Sequence, residues 1–444
     1  MLMNSSGISA YNYSENCPAA TGLRLFVNGK REFLFHATVA CFASFSMEGR
    51  AEIAIETDFP VERVHIRPLS FGIEYQQHER SISFVIAEPM NVFVEINDQK
   101  YPLFIFANPP MKDVPSENDP DVIYFKAGVI HEVGTLRLKS NQTLYIEGGA
   151  VVRGVIRATD AENIRICGYG VLDGSLEPAD GPDRRHFVVL EGCRNVTMEG
   201  IILIETPHWM IVLGDCENVE IRNIKEIGHC VSSDGIDIVG SRKVLVEGVF
   251  LRNNDDCIAV KALNNSEPRN AKRTWANDVQ DVIIRNSVMY SAEENGGNCL
   301  EIGFELRTGL VENIVFENID VIAVHGFGSV FSIHNGDRAL VRNVRYENIR
   351  IEHFYDKLID IRVVDSPKWN EDKVKGAIRD IHFKNIQAIE QPFNSGYTCS
   401  LIGGIASSTV DHILIEDFYL NDKKINNEDD LWLHTKHANH IRFK

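Results

Sequence analysis

The sequence predicts an all-β chain, a right-handed parallel β-helix (a solenoid of short stacked strands) preceded by a small antiparallel β-sandwich. Two observations carry this. From about Asn141 onward one unit recurs: a polar residue, an apolar-x-apolar strand, Asn or Gly, then another apolar residue. Before about Pro110 the pattern changes to apolar/polar alternation broken by turn residues, which is the rhythm of antiparallel strands with one face buried.

In chain order, the first element is the sandwich, over residues 1–110. Its strands are read from LRLFVNGKREFLF, AEIAIETDF, VHIRPL, ISFVIAE and NVFVEINDQKYPLFIFAN. Residues 111–121 lie in a stretch rich in proline and acid and read as a linker. Residues 122–444 form the solenoid, opened by VIYFKAGVIHEVGTLRLKSNQTLYIEGG. The repeat reads NIRICGYG at Asn163, NVTMEGI at Asn195, NVEIRNI at Asn218, KVLVEGV at Lys243 and DVIIRNS at Asp281. It continues as NIVFENI at Asn313, NVRYENI at Asn343, DIHFKNI at Asp380 and HILIEDF at His412, with start-to-start spacings of roughly 23 to 38 residues. Short Val/Ile-rich strands with no amphipathic helix between them favour a parallel β-helix over a leucine-rich repeat or a βαβ sheet. The recurrent Asn223, Asn286, Asn318, Asn348 and Asn385 suit turns, because Asn tolerates left-handed backbone angles and bonds to nearby backbone. The glycosylation-like triplets at Asn141 and Asn195 fall within the repeat and read as part of it.

Composition narrows the function. A chain of 444 residues exceeds one ordinary compact core, unless that core is elongated. The net charge of −18 argues against nucleic acid and anionic membranes as partners. No apolar run is long enough to span a bilayer. The nine cysteines are scattered, odd in number and mostly within strand-like runs, as small buried thiols would be. No CxxC pair or His/Cys cluster has metal-ligand spacing, so neither metal nor cofactor is expected. The start, MLMNSSGISAYNYSENC, lacks a basic end followed by an apolar block, so no signal peptide is expected. That favours a cytoplasmic place; a secreted or periplasmic one would follow had a signal been removed.

The chemistry concentrates in SSDGIDIVGS, from Ser232, and NNDDCIAVKA, from Asn253. If each strand lies on the one before, Asp234, Asp255 and Asp256 meet. Crowded carboxylates repel, so at least one keeps its proton above its free pKa. A proton shared between nearby carboxylates is what hydrolysis of a glycosidic bond requires.

The run from Thr206 to about Gly303 resembles glycoside hydrolase family 28, the polygalacturonase family of inverting, metal-independent β-helix enzymes with the pectin lyase fold. TPHWMIVLGDCENVEIRNI is similar to that family's SPxW strand, SSDGIDI to its NTDGxD motif and NNDDCIAVKA to its DDCIAIK motif. The repeat extends the likeness over roughly 122 to 443. The N-terminal sandwich lies outside the family's common core, and some exo-acting members and the dextranase-like family 49 carry an added β-domain there. The resemblance implies that Asp255 is the general acid and that Asp234 and Asp256 hold the attacking water as base.

Three departures bear on the substrate. Where the family has GHG, this chain has Gly297, Asn298 and Cys299, and Glu301 stands where a serine is usual. Where its basic RIK strand belongs, SVFSIHNGD places Phe331, Ser332 and Ile333. Ser232 replaces the Asn of NTD. The resemblance assigns the missing Arg and Lys to a clamp on the galacturonate carboxylate, as paired cations can provide. An uncharged or differently charged sugar, not plain polygalacturonate, is therefore expected. Candidate substrate-binding residues are Lys261, Asn298, Glu301, His229, His334 and Ser232, with Arg307 and Arg338 further out. Trp209 reads as core. Trp275 and Trp369, in the insertions Leu263 to Asp278 and Val363 to Gly376, read as possible stacking surfaces on groove walls that favour exo action. The alternatives are a non-catalytic, adhesin-like carbohydrate-binding β-helix and a lyase or epimerase on the same scaffold; oligomeric state is left open.

Overall fold

A computed structural model describes residues 7–178, 185–264, 274–292, 297–366, 368–390 and 399–444. Among the described residues there is no α-helix. None of the helical turns is long and apolar enough to cross a membrane.

The solenoid is one continuous array of 29 strands, running from Val122–Phe125 to Ala438–Phe443. Its coil-to-coil pairings are parallel, and they hold register except at local shifts such as those after Glu132, Val260 and Met289. Ile236 lies beside Ile211 and Ile258, and Ile258 beside Leu300. Leu300 lies beside Phe331, and Phe331 beside Ile359. These residues, with Ile238, Val260, Ile302, Ile333 and Ile361 two positions on, point inward and are fully buried. The two-residue period of a strand puts the intervening positions on the outer face, which is where the polar residues of the site appear.

The recurrent Asn residues close the turns. Asn223, Asn286, Asn318, Asn348 and Asn385 all have φ between 50° and 56°. A second set stacks side chain on side chain: Asn163 donates to Asn141 at 2.9 Å, Asn195 to Asn163 at 3.1 Å and Asn218 to Asn195 at 2.8 Å. Asn141 and Asn195 are therefore ladder residues.

The N-terminal part holds a six-stranded and a five-stranded sheet packed on a shared apolar core. One pairing departs from the antiparallel expectation. Ala40–Met47 and Asp98–Asn108 run parallel, with Cys41 beside Leu103. Between them the chain crosses to the other sheet as Ala51–Thr57 and returns, and such a crossover permits parallel neighbours.

This sandwich packs along the side of the solenoid. Phe35, Phe42, Phe93, Phe104 and Phe106 meet Ile202, Ile227, Phe250, Tyr290 and Ile322 in one buried cluster. Polar contacts frame it. Thr38 donates its amide, at 2.6 Å, and its hydroxyl, at 2.8 Å, to Glu205. Arg67 and the amide of Leu69 bond to Glu352. Both acids lie in turns leading into the face that carries the candidate site.

Candidate active site

The turns before successive strands of this face stack as rungs. The carbonyl of Asp234 accepts from the amide of Met210 at 2.8 Å. The carbonyl of Asp256 accepts from Gly235 at 2.8 Å, and that of Asn298 from Cys257 at 3.0 Å. Asp234, Asp256 and Asn298 thus occupy equivalent places in consecutive coils, each two residues before an inward apolar residue. Backbone approach is close enough to demand glycine twice. A Cβ on Gly297 would sit 2.1 Å from the Asp255 carbonyl carbon, and one on Gly235 would sit 2.4 Å from the Cys257 oxygen.

Asp234 and Asp256 are buried, at 3% and 8% exposure, while Asp255 is half-buried and is the most accessible of the three. Asp256 accepts from the Asn298 amide at 2.7 Å and from its Nδ2 at 3.2 Å. Burial first, then the charges of Asp255, Asp234 and Glu301, push its pKa well above the carboxylate range. Burial raises Asp237 in the same way, and crowded acids of this kind titrate as a set.

Lys261 lies beneath this group. Its ammonium is 2.8 Å from Asp234 and 2.8 Å from Asp237. Burial works against its charge, but Asp234, Asp237 and Asp256 outweigh that and hold it well above its ordinary pKa. Its bonds go to protein carboxylates. It also lies over the Trp209 ring, 4.0 Å from the centroid, and His186 stacks on Trp209 at 4.6 Å. Trp209 is half-buried: it covers Lys261 and packs against the buried cluster of Val189, Val212, Val239, Leu263 and Trp275. Asp237, the second acid of the SSDGID run, is fully buried on the outward side of Ile236–Val239.

The next coils continue the charged row. Glu301, fully buried, bonds to His334 Nδ1 at 3.0 Å, and His334 Nε2 is 3.3 Å from Asp360. Asp360 in turn bonds to Arg362. Burial alone would lower the His334 pKa, yet Glu301 and Asp360 prevail and raise it to about 9. Glu301 is thus an internal ion-pair partner, not a solvated charge. Asp360 and Arg362 escaped sequence reasoning, because their link to His334 exists only through coil stacking (Ser332 beside Asp360, His334 beside Arg362).

The remaining candidates divide. Asn298 is committed on both sides, since its Oδ1 also accepts from the Ser329 amide at 2.9 Å. His229 pairs with Glu205 at 3.7 Å, and its carbonyl holds Asn254 at 2.8 Å beside Asp255. Ser232, with φ of 61°, lies in the Asp234 turn. Arg307 pairs with Asp337 and Glu371, and Arg338 with Asp372. Trp275 is corrected: it is fully buried against Gly214, its Nε1 on Glu191 at 3.1 Å, and offers no stacking surface. Residues 265–273 of its insertion lie outside the described residues. Trp369 is 38% exposed and stacks on Phe304 at 5.7 Å. All nine cysteines are free thiols. Far from this row, exposed His412 and His440 share Asp411, their potential ligand atoms within 4.8 Å of one another.

The sequence model of glycosyl hydrolases family 28 matches residues 113–398. Rhamnogalacturonase A of Aspergillus niger is 26% identical over 206 residues, covering 41% of this chain and 43% of its own length. Rhamnogalacturonase A of Aspergillus aculeatus is 24% identical over 221 residues, covering 44% and 48%. The matches thus span less than half the length of these relatives. Among solved structures, Dex49A from Penicillium minioluteum superposes with a TM-score of 0.67 at 12% identity, over 99% of both chains. The exopolygalacturonase of Thermotoga maritima gives 0.53 at 20% identity, over 72% of this chain and 84% of its own. Both likenesses concern the fold.

Proposed function

The chain belongs to glycosyl hydrolases family 28, and from that membership we propose that it hydrolyses an O-glycosidic bond with inversion, using Asp234, Asp255 and Asp256. The observation that carries this reading is the stacking of the three acids on neighbouring rungs above a buried lysine. Lys261 offsets the charge of Asp234, and the set retains a proton that burial first gives to Asp256. Asp255, the most accessible, passes that proton to the leaving oxygen as the sugar–oxygen bond breaks. Water adds to the sugar from the other side, and its proton returns to Asp234 or Asp256. The set then again holds one proton, as before turnover.

The substrate we propose is a glycan with a neutral sugar at the cleaved bond, in an exo mode. A carboxylate clamp needs cations with capacity to spare. Here Lys261, His334, Arg362, Arg307 and Arg338 each face an acidic partner. The rhamnogalacturonase relatives favour a rhamnogalacturonan-type chain, whose name implies a neutral sugar beside the uronic one. Exo action is supported by the sandwich, whose Thr38 grips Glu205 beside His229 at the upstream edge of the row.

The test is reducing-end release from rhamnogalacturonan, polygalacturonate and neutral oligosaccharides by the wild type and by Asp255→Asn. The variant is expected to lose about 10²- to 10⁴-fold in kcat. Rapid release of galacturonic acid from polygalacturonate would overturn the substrate assignment, and equal activity of the two proteins would remove Asp255 from its role. Binding without cleavage would restore the adhesin-like alternative.

A further inference from the structure

Phe327 is 69% exposed, more than any other phenylalanine among the described residues that are exposed, and Tyr355 is 42% exposed. Their rings meet edge to face at 6.0 Å. Contiguous exposed apolar surface, unlike singly scattered residues, marks interaction sites and ligand-binding grooves. Its position gives it meaning. Phe327 lies in the 325–328 turn and Tyr355 in the 352–356 turn, and both turns lead into strands of the face that carries the carboxylates (Ser329–Asn335 and Lys357–Val363). They are the rungs that follow those of Asp256 and Asn298.

The register is fixed by contacts already described. Asn298 bonds to Asp256 on one side and to the Ser329 amide, at 2.9 Å, on the other. Gly328 approaches the Gly297 carbonyl so closely that a Cβ would sit 1.9 Å from its oxygen. The Tyr355 turn is held from behind, where Glu352 binds Arg67 and the Leu69 amide of the sandwich. Beside the two rings, His325 and His353 bond ring to ring at 3.3 Å. At the strand separation of about 4.8 Å, the pair stands about 10 to 15 Å along the solenoid from the carboxylates.

We propose that Phe327 and Tyr355 form a distal subsite, an aromatic platform on which a pyranose ring of the bound glycan lays its C–H face. The occupant is a sugar beyond those joined by the cleaved bond. The inference rests on the glycosidase reading, because it takes the face of the three aspartates as the path of the chain. A ring held there adds affinity through burial of apolar surface and asks for no charge on the sugar.

The experiment is titration calorimetry in the Asp255→Asn background, with rhamnogalacturonan oligosaccharides and oligogalacturonides of increasing length, alongside cleavage assays of the wild type. Affinity is expected to rise with length until the oligomer reaches the platform. Adding Phe327→Ala and Tyr355→Ala weakens the long oligomers about tenfold, to the level of the short ones. Phe327→Trp keeps the length dependence, and melting curves check that each variant is folded. Equal affinities with and without the two rings at every length overturn the platform, as does absence of binding at any length. Length-dependent binding that the rings account for, with no cleavage by the wild type, leaves the platform standing and removes the hydrolase reading.

Discussion

At the scale of single residues the site is a row of charges held in low-dielectric surroundings, where each partner matters to the others. Lys261→Met leaves Asp234 and Asp237 buried beside an apolar side chain. It is expected to cost about 3–5 kcal/mol, read from the urea midpoint, together with loss of turnover; an unchanged midpoint would show that the lysine does not hold the acids. His334 gives a pH signature. Its folded pKa of about 9 lies above the unfolded value of about 6.5. The stability it contributes is therefore fully present below pH 6.5 and is lost as the pH rises through 9. The difference amounts to about 3 kcal/mol. Melting temperature followed against pH should fall less steeply over this window in His334→Gln than in the wild type, and parallel curves would refute the assignment. The sequence signalled the acids through their motif context and through adjacency, Asp255 beside Asp256. It left without a role Asp237, the second acid of the SSDGID motif, and Asp360, whose partners Lys261 and His334 lie a coil away along the chain, and Arg362, which joins the row through Asp360. Trp275 misled for a related reason: a tryptophan in an insertion looks available, but this one fills the space above Gly214.

At the scale of elements, the Asn ladder is the feature that sequence and structure share most directly. Its rungs recur in the repeat units, and the same residues supply the left-handed angles. Asn195 accepts from Asn218 and donates to Asn163, with φ of 53°. Asn195→Ala loses both bonds and places a Cβ-bearing residue without a polar side chain in a left-handed conformation. The expected loss is about 1–3 kcal/mol in chemical denaturation; a change within error would mean that the ladder is ornamental to stability. The repeat was legible because a solenoid writes the same local problem once per coil. The parallel pair inside the sandwich was not legible, because alternation of apolar and polar residues reports which face is buried and says nothing of strand direction. The rim aromatics were equally silent: Phe327 sits between two glycines and belongs to no periodic pattern.

At the scale of the whole molecule, the sandwich and the solenoid share a core. Phe250 is fully buried with its ring 5.0 Å from Phe104 and 5.5 Å from Phe106, which belong to the other unit. An apolar seam of this kind couples the two, so calorimetry is expected to give one unfolding transition, and Phe250→Ala to lower it by about 3–5 kcal/mol. Two well-separated transitions in the wild type would contradict a shared core. The rung arrangement has a further consequence. Because the proposed reacting groups occupy adjacent floors of a staircase, while the proposed grip on the glycan comes from floors farther along, an added or deleted floor beyond the former would alter how long a chain is measured without disturbing the bond-breaking step. Such a scaffold lets reach and reactivity diverge independently, one storey at a time.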